Sequence, residues 1–173
     1  KTIIEQYSFE KIQIELDNVQ KLKVLIIGET IIDQYVFCET LGKSGKEPVL
    51  VLRDIENQQY LGGVLAIARH LNEFCDDISV LSFLGEDKEY EAFIKDNIED
   101  KINLNFLTKS NSPTIVKRRF VDHIDKRKIL GVYSINDDFL TVDEEQKFID
   151  SLDKLVIEHD LIIVSDYGHG IIA

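Results

Sequence analysis

Two stretches of the chain are apolar without interruption. Residues 23–28 (KVLIIG) run from a lysine through four aliphatic side chains into a glycine, and residues 161–165 (LIIVS) repeat the pattern near the other end. A strand covered on one face alternates in polarity, whereas one apolar at every position is buried on both faces, as in a parallel sheet. Both stretches are read as such fully buried strands.

Elsewhere the period changes. Ile12, Leu16 and Val19 recur at helical spacing over residues 8–20, with Ser8 as the cap; residues 1–20 are read as a lead-in helix or linker. Gly62 and Gly63 open an apolar helix over residues 64–74. A strand over 78–84 ends in Gly85, and Asp87 is expected to cap a helix carrying Phe93, Ile94 and Ile98 on one face. Residues 103–107 predict another strand. Thr141 and Glu144 have capping-box spacing ahead of a helix whose buried side holds Phe148, Leu152, Leu155 and Val156.

The remaining segments have strand character but lie between these units. Residues 35–60 contain Val and Leu runs broken by Gly42, Gly45 and Pro48, which suits short antiparallel strands outside the main sheet. Residues 114–122 and 128–133 read as a hairpin around a polar turn. Strands alternating with helices predict an α/β fold with a parallel sheet and right-handed crossovers. Ligands of such sheets bind at the carboxyl ends of the strands. Residues 28–33, 85–87 and 166–170 are the candidate ends.

Composition narrows the function. The chain has 173 residues, 44% apolar and 30% charged, with 32 acids against 20 bases and a net charge of −12. That charge argues against a nucleic-acid partner. No apolar run approaches the ~20 residues that span a bilayer, so no membrane association is expected. Cys38 and Cys75 are too few for a disulfide framework and lack metal-ligand spacing, which suits reduced thiols in the cytoplasm. The chain contains no methionine, even at its first position, and is read as a segment of a longer protein.

Several residues can carry chemistry. Asp33 follows the first strand, where a carboxylate can accept hydrogen bonds from two sugar hydroxyls; a solvated turn acid is the alternative. Gly62 and Gly63 precede a helix, where bare backbone lets a ligand approach unpaired N–H groups; a tight turn is the alternative. Lys117 and Arg119 share one face of their strand and can hold a phosphate; a charged, aggregation-resistant edge strand is the alternative. Asp166 and His169 lie at a strand end and are candidate substrate contacts. No catalytic residue and no metal ligand is assigned. Gly-x-x-x-x-Gly-Lys-Ser/Thr and Gly-x-Gly-x-x-Gly are both absent, which disfavours a generic nucleotide-binding domain.

In order, the motifs are GETIIDQY (28–35), YLGGVLAIARHL (60–71), LGED (84–87), SPTIVKRR (112–119) and VSDYGHG (164–170). This succession resembles the PfkB, or ribokinase-like, carbohydrate kinases, and most of all the heptose-7-phosphate kinases of bacterial surface-polysaccharide synthesis. The resemblance covers about residues 21–173 and implies the N-terminal part of such a kinase. It implies a parallel sheet sandwiched by helices, truncated here, with a small β lid from residues 35–60 and 114–133. It assigns sugar binding to Asp33, Gly62 and Gly63, and contact with the sugar or its distal phosphate to Lys117 and Arg119.

The chain departs from the family pattern at Ala66, where Asn is usual, and at His169, where related kinases often carry Lys. The family's Gly-Ala-Gly-Asp segment, which supplies the catalytic base and the anion hole, does not occur in these residues. The resemblance implies ATP and Mg²⁺ as cofactors of the full-length protein and a sugar or sugar phosphate as partner. It further implies a homodimer through the β lid and a fused nucleotidyltransferase domain, with this segment inactive alone. The competing expectation is a non-catalytic sugar-phosphate binding module, or a degenerate kinase, within a multidomain protein.

Overall fold

The structure, a computed structural model, describes residues 7–172. Helix α1 (Phe9–Gln20) leads into β1 (Lys23–Gly28), β2 (Thr30–Lys43) and β3 (Leu50–Gly63). There follow α2 (Val64–Leu71), β4 (Asp77–Gly85), α3 (Glu91–Asn97) and β5 (Ile102–Lys109). The chain continues through β6 (Ile115–Asp122), β7 (Lys128–Ser134), α4 (Val142–Val156) and β8 (Leu161–Ser165).

The strands form two four-stranded sheets. The first has the order β5-β4-β1-β8 and is wholly parallel. Because successive side chains point to opposite faces, the apolar run of β1 splits between two cores. Val24 and Ile26 join Val64, Leu65, Ala68, Ile78, Val80 and Ile94 beneath α2 and α3. Leu25 and Ile27 join Leu81 on the other face, where Phe148, Leu152, Leu155 and Val156 of α4 pack against them. The expected sandwich is therefore present, and it places the ends of β1, β4 and β8 along one rim.

The second sheet is the lid, in the order β3-β2-β6-β7. β2 pairs antiparallel with β3 and parallel with β6, and β6 pairs antiparallel with β7. Ile32, Leu61 and Val116 at its root belong to the core under α2, which anchors the lid to the body.

Several local expectations change. The strands expected to be short over 35–60 are each 14 residues long. β2 begins at Thr30, so Asp33 lies within a strand and not in a turn. β6 runs between β2 and β7, so Lys117 and Arg119 are not on an edge. α2 ends at Leu71, short of the expected residue 74. Asp87 does not cap α3; Tyr90 occupies that position with no side-chain cap bond. β8 is expected to be fully buried, but among the described residues it pairs only with β1, and Leu161, Ile162 and Val164 are exposed.

Other local signals are realised as read. Ser8 accepts the Lys11 N–H at the start of α1. Thr141 and Glu144 form the reciprocal capping box of α4. Among the described residues, no helix is long and apolar enough to cross a membrane.

Candidate functional site

Register decides which side chains meet on the lid. Across β2 and β6, Asp33 stands beside Lys117, and Tyr35 beside Arg119. Across β3 and β7, Asp33 faces Tyr60 and Lys117 faces Tyr133. Period-two alternation then puts Asp33, Tyr35, Lys117, Arg119, Tyr60 and Tyr133 on one face. Gln34 and Arg118 take the other.

Asp33 and Arg119 are ion-paired, with 26% and 19% of their side-chain surfaces exposed. The Arg119 guanidinium stands over the rings of Tyr35 and Tyr133, at 5.5 and 5.9 Å from their centroids. Burial works against the Arg119 charge, but the hydrogen bond and the negative charge of Asp33 outweigh it and raise the pKa. The cation is thus fixed in both protonation and direction, because a planar guanidinium held by a carboxylate and two rings has little freedom left.

Gly62 lies against Asp33. A Cβ built on Gly62 would stand 2.5 Å from Asp33 Oδ2, inside van der Waals contact. The absence of a side chain at this position is what lets the carboxylate occupy its place. Gly63 has a different reason to be glycine: its φ is +57°, and a Cβ there would collide with the Glu29 carbonyl oxygen. The two glycines therefore bring the start of α2 close to the end of β1, next to Asp33.

Lys117 reaches the body of the protein. Its Nζ stands 5.5 Å from the centroid of the Tyr167 ring, in the turn beyond β8. Asp166 and His169 flank that ring but do not join the Asp33 cluster. Asp166 Oδ1 accepts the Gly168 N–H at 2.8 Å, closing its own turn. The His169 side chain is turned into the body, with Nδ1 2.8 Å from Asp137 Oδ1. Of the seven candidates, the structure thus brings together Asp33, Gly62, Gly63, Lys117 and Arg119.

The sequence reading passed over the four tyrosines and two buried charges. Tyr35 sits two residues beyond Asp33 in the same strand, so strand periodicity alone places it on Asp33's face. Lys109, at the end of β5, donates to the carbonyls of Asn136, Asp138 and His169 at 2.8, 2.6 and 3.1 Å. Burial depresses its pKa, opposed by the negative charges of Asp138, Glu144, Asp137 and Glu29. Glu29, at the end of β1, is wholly buried. On the opposite face of the lid, Gln34, Tyr90, Arg118 and Phe120 line an open cavity of about 410 Å³. It contains none of the seven candidates.

Among the described residues, no group of three or more His, Cys, Asp or Glu side chains is placed to hold a metal ion. What the lid face offers is a carboxylate that accepts hydroxyl hydrogens, two cations on one side of it, and aromatic surface around them. That combination suits a polyol bearing an anionic group.

The family model described as "pfkB family carbohydrate kinase" matches residues 21–168. "Bifunctional protein HldE" of Campylobacter jejuni is 28% identical over 159 residues, covering 92% of this chain and 32% of that protein. The protein of the same name from Haemophilus influenzae is 28% identical over 151 residues, covering 87% and 31%. The chain spans about a third of the length of these relatives.

Among solved structures, a carbohydrate kinase from Agrobacterium tumefaciens superposes with a TM-score of 0.56 at 15% identity, over 83% of this chain and 45% of that one. A ribokinase from Thermotoga maritima does so with a TM-score of 0.53 at 18% identity, over 82% and 44%. These share the fold: a ribokinase-like α/β sandwich of which this chain holds less than half. Motif order, architecture and the match over residues 21–168 agree, and the chain belongs to the pfkB family of carbohydrate kinases.

Proposed function

We propose that this chain is the acceptor-binding part of an ATP-dependent sugar kinase whose substrate is a sugar phosphate. The observation that carries the reading is the juxtaposition of Asp33, Gly62, Lys117 and Arg119 on the inner face of the lid. Asp33 would accept hydrogen bonds from two sugar hydroxyls and so orient the ring. Lys117 and Arg119 would meet the anionic group at its far end. Resemblance to heptose-7-phosphate kinases, and the similarity to bifunctional HldE proteins, favour a heptose phosphate destined for a surface polysaccharide.

In the full-length protein, the γ-phosphoryl group of ATP would pass to the oriented hydroxyl as its bond to the β-phosphate oxygen breaks and the hydroxyl proton leaves to a base. ATP and Mg²⁺ are proposed as cofactors held by residues outside those described. Orientation is the contribution of this chain, and holding a reacting hydroxyl in line can supply several kcal/mol of the barrier, on the order of 7–11 in favourable systems. A homodimer is proposed through the lid, whose outer strands expose Leu50, Ile55, Leu130 and Val132. A cytoplasmic location and a fused nucleotidyltransferase domain belong to the same proposal.

The test is a kinase assay of the full-length protein against a panel of sugars and sugar phosphates, with Asp33→Ala beside the wild type. The expected result is ATP-dependent phosphorylation of a sugar phosphate, with kcat/KM reduced at least a hundredfold in the variant; loss of two hydrogen bonds to a charged group is worth about 3–6 kcal/mol. A variant within threefold of wild type ends the sugar-binding role of Asp33. Binding without turnover points to the non-catalytic module instead.

A further inference from the structure

Glu29 is 0% exposed, a costly position for a carboxylate unless its oxygens are well partnered. The partners are backbone groups. Oε2 accepts the Tyr167 N–H at 2.9 Å, and Oε1 accepts the His169 N–H at 3.1 Å. The Glu29 carbonyl accepts the N–H of Val64, the first residue of α2, at 3.0 Å. One residue therefore joins the junction of β3 and α2 to the turn after β8.

The rest of that second turn is held from other directions, and the His169 ring is tied to Asp137. Asp166 holds Gly168 locally, Lys109 holds the His169 carbonyl from below, and Gly168 and Gly170 have φ of +76° and +79°. Tyr167 is the residue of the turn that meets the lid. Its side chain is substantially exposed, and its ring centroid stands 5.5 Å from the Lys117 ammonium. Among the described residues, Lys117 makes no ion pair, so the Tyr167 ring is the feature that directs its charge.

We propose that Glu29 is a positioning residue: by fixing the Tyr167 backbone it sets the ring against Lys117, and so directs the Lys117 ammonium toward the anionic group of the acceptor. The inference rests on the sugar-phosphate reading of the lid face. Glu29 touches no substrate in this arrangement. Its effect passes through Tyr167 to Lys117 and falls on phosphate recognition alone.

The test uses the full-length protein, with calorimetric Kd values for a sugar phosphate and for the same sugar without phosphate, and amide hydrogen exchange at Tyr167 and His169. Glu29→Gln replaces one accepting oxygen by an NH₂ group that confronts a backbone N–H. Exchange at the two amides is expected to rise at least tenfold, the sugar-phosphate Kd to rise about two- to fivefold, and the Kd for the unphosphorylated sugar to stay unchanged. Tyr167→Ala is expected to weaken the sugar phosphate about two- to fivefold, in the range of an exposed cation–ring contact, and Tyr167→Phe to restore it.

The Tyr167 pair decides the matter if Glu29→Gln does not fold. Unchanged sugar-phosphate binding in Tyr167→Ala, or equal losses for sugar and sugar phosphate, overturns the proposal while leaving the sugar-phosphate reading intact. A wild type that binds no sugar or sugar phosphate overturns both.

Discussion

Gly62→Ala offers a sharp perturbation of the site because it adds one methyl group at a known place. The new Cβ would stand 2.5 Å from Asp33 Oδ2, 3.3 Å from Asp33 Cγ and 3.2 Å from the Ile31 carbonyl oxygen. The strand backbone has little room to retreat, since Gly62 pairs with Ile31 in the β2–β3 ladder. The Asp33 carboxylate is the mobile party and must rotate away, which also takes it from Arg119. Two hydrogen bonds from sugar hydroxyls to a carboxylate are worth about 3–6 kcal/mol together, or about a hundredfold or more in Kd.

Stability should change far less. Gly62 does not occupy the left-handed region, so alanine is admitted by the backbone. Overpacking costs about 1–3 kcal/mol, offset by about 0.4–1 from the stiffer unfolded chain. Gly63→Ala should do the reverse, because its φ of +57° and the Glu29 carbonyl both oppose a side chain. Calorimetric titration with a sugar phosphate, beside thermal melts, separates the two effects. Gly62→Ala placed on Asp33→Ala should add almost nothing, since both act through one carboxylate. Wild-type affinity in Gly62→Ala, or additive losses in the double variant, would refute the reasoning.

Two further predictions concern charge. The Glu144 pKa is lowered from 4.5 to about 2: burial pushes it up, but the N–H and hydroxyl groups of Ser110 and Thr141 outweigh that. Its contribution is fully present above pH 4.5 and is lost as the pH falls toward 2, a change of about 3 kcal/mol; the stability gap between wild type and Glu144→Gln in urea unfolding should close over that window, and a gap constant with pH would contradict this. Arg119→Lys keeps the charge but loses the planar fork held by Asp33, Tyr35 and Tyr133, so sugar-phosphate affinity should fall about tenfold with little change in melting temperature, whereas unchanged affinity would leave the guanidinium without a special role.

The body of the fold was legible because burial on both faces demands an apolar residue at every position, and β1 meets that demand. The capping box of α4 was legible for a local reason: its two partners lie three residues apart. LIIVS at β8 has the same four aliphatic residues as β1, yet its outer side carries no strand among the described residues, and composition does not reveal who the neighbours are. The length of β2 was hidden because Gln34, Glu39 and other polar residues of the lid interrupt the apolar pattern that marks strands.

The site divided in the same way. Motif order singles out Gly62, Gly63, Asp33, Lys117 and Arg119 as candidates, and the structure brings these five together. The Asp33–Arg119 pair joins residues 86 apart and follows from the β2–β6 register, which leaves no local trace. Glu29 stood within the quoted GETIID segment, but its hydrogen bonds reach 138 and 140 residues along the chain.

The central claim is tested most directly by a crystal structure of the full-length protein with a bound sugar phosphate. The account predicts sugar hydroxyls hydrogen-bonded to Asp33 beside Gly62, and the phosphate against Lys117 and Arg119. A ligand seated on the opposite lid face, among Gln34, Tyr90 and Arg118, with the Asp33–Arg119 pair untouched, would contradict it.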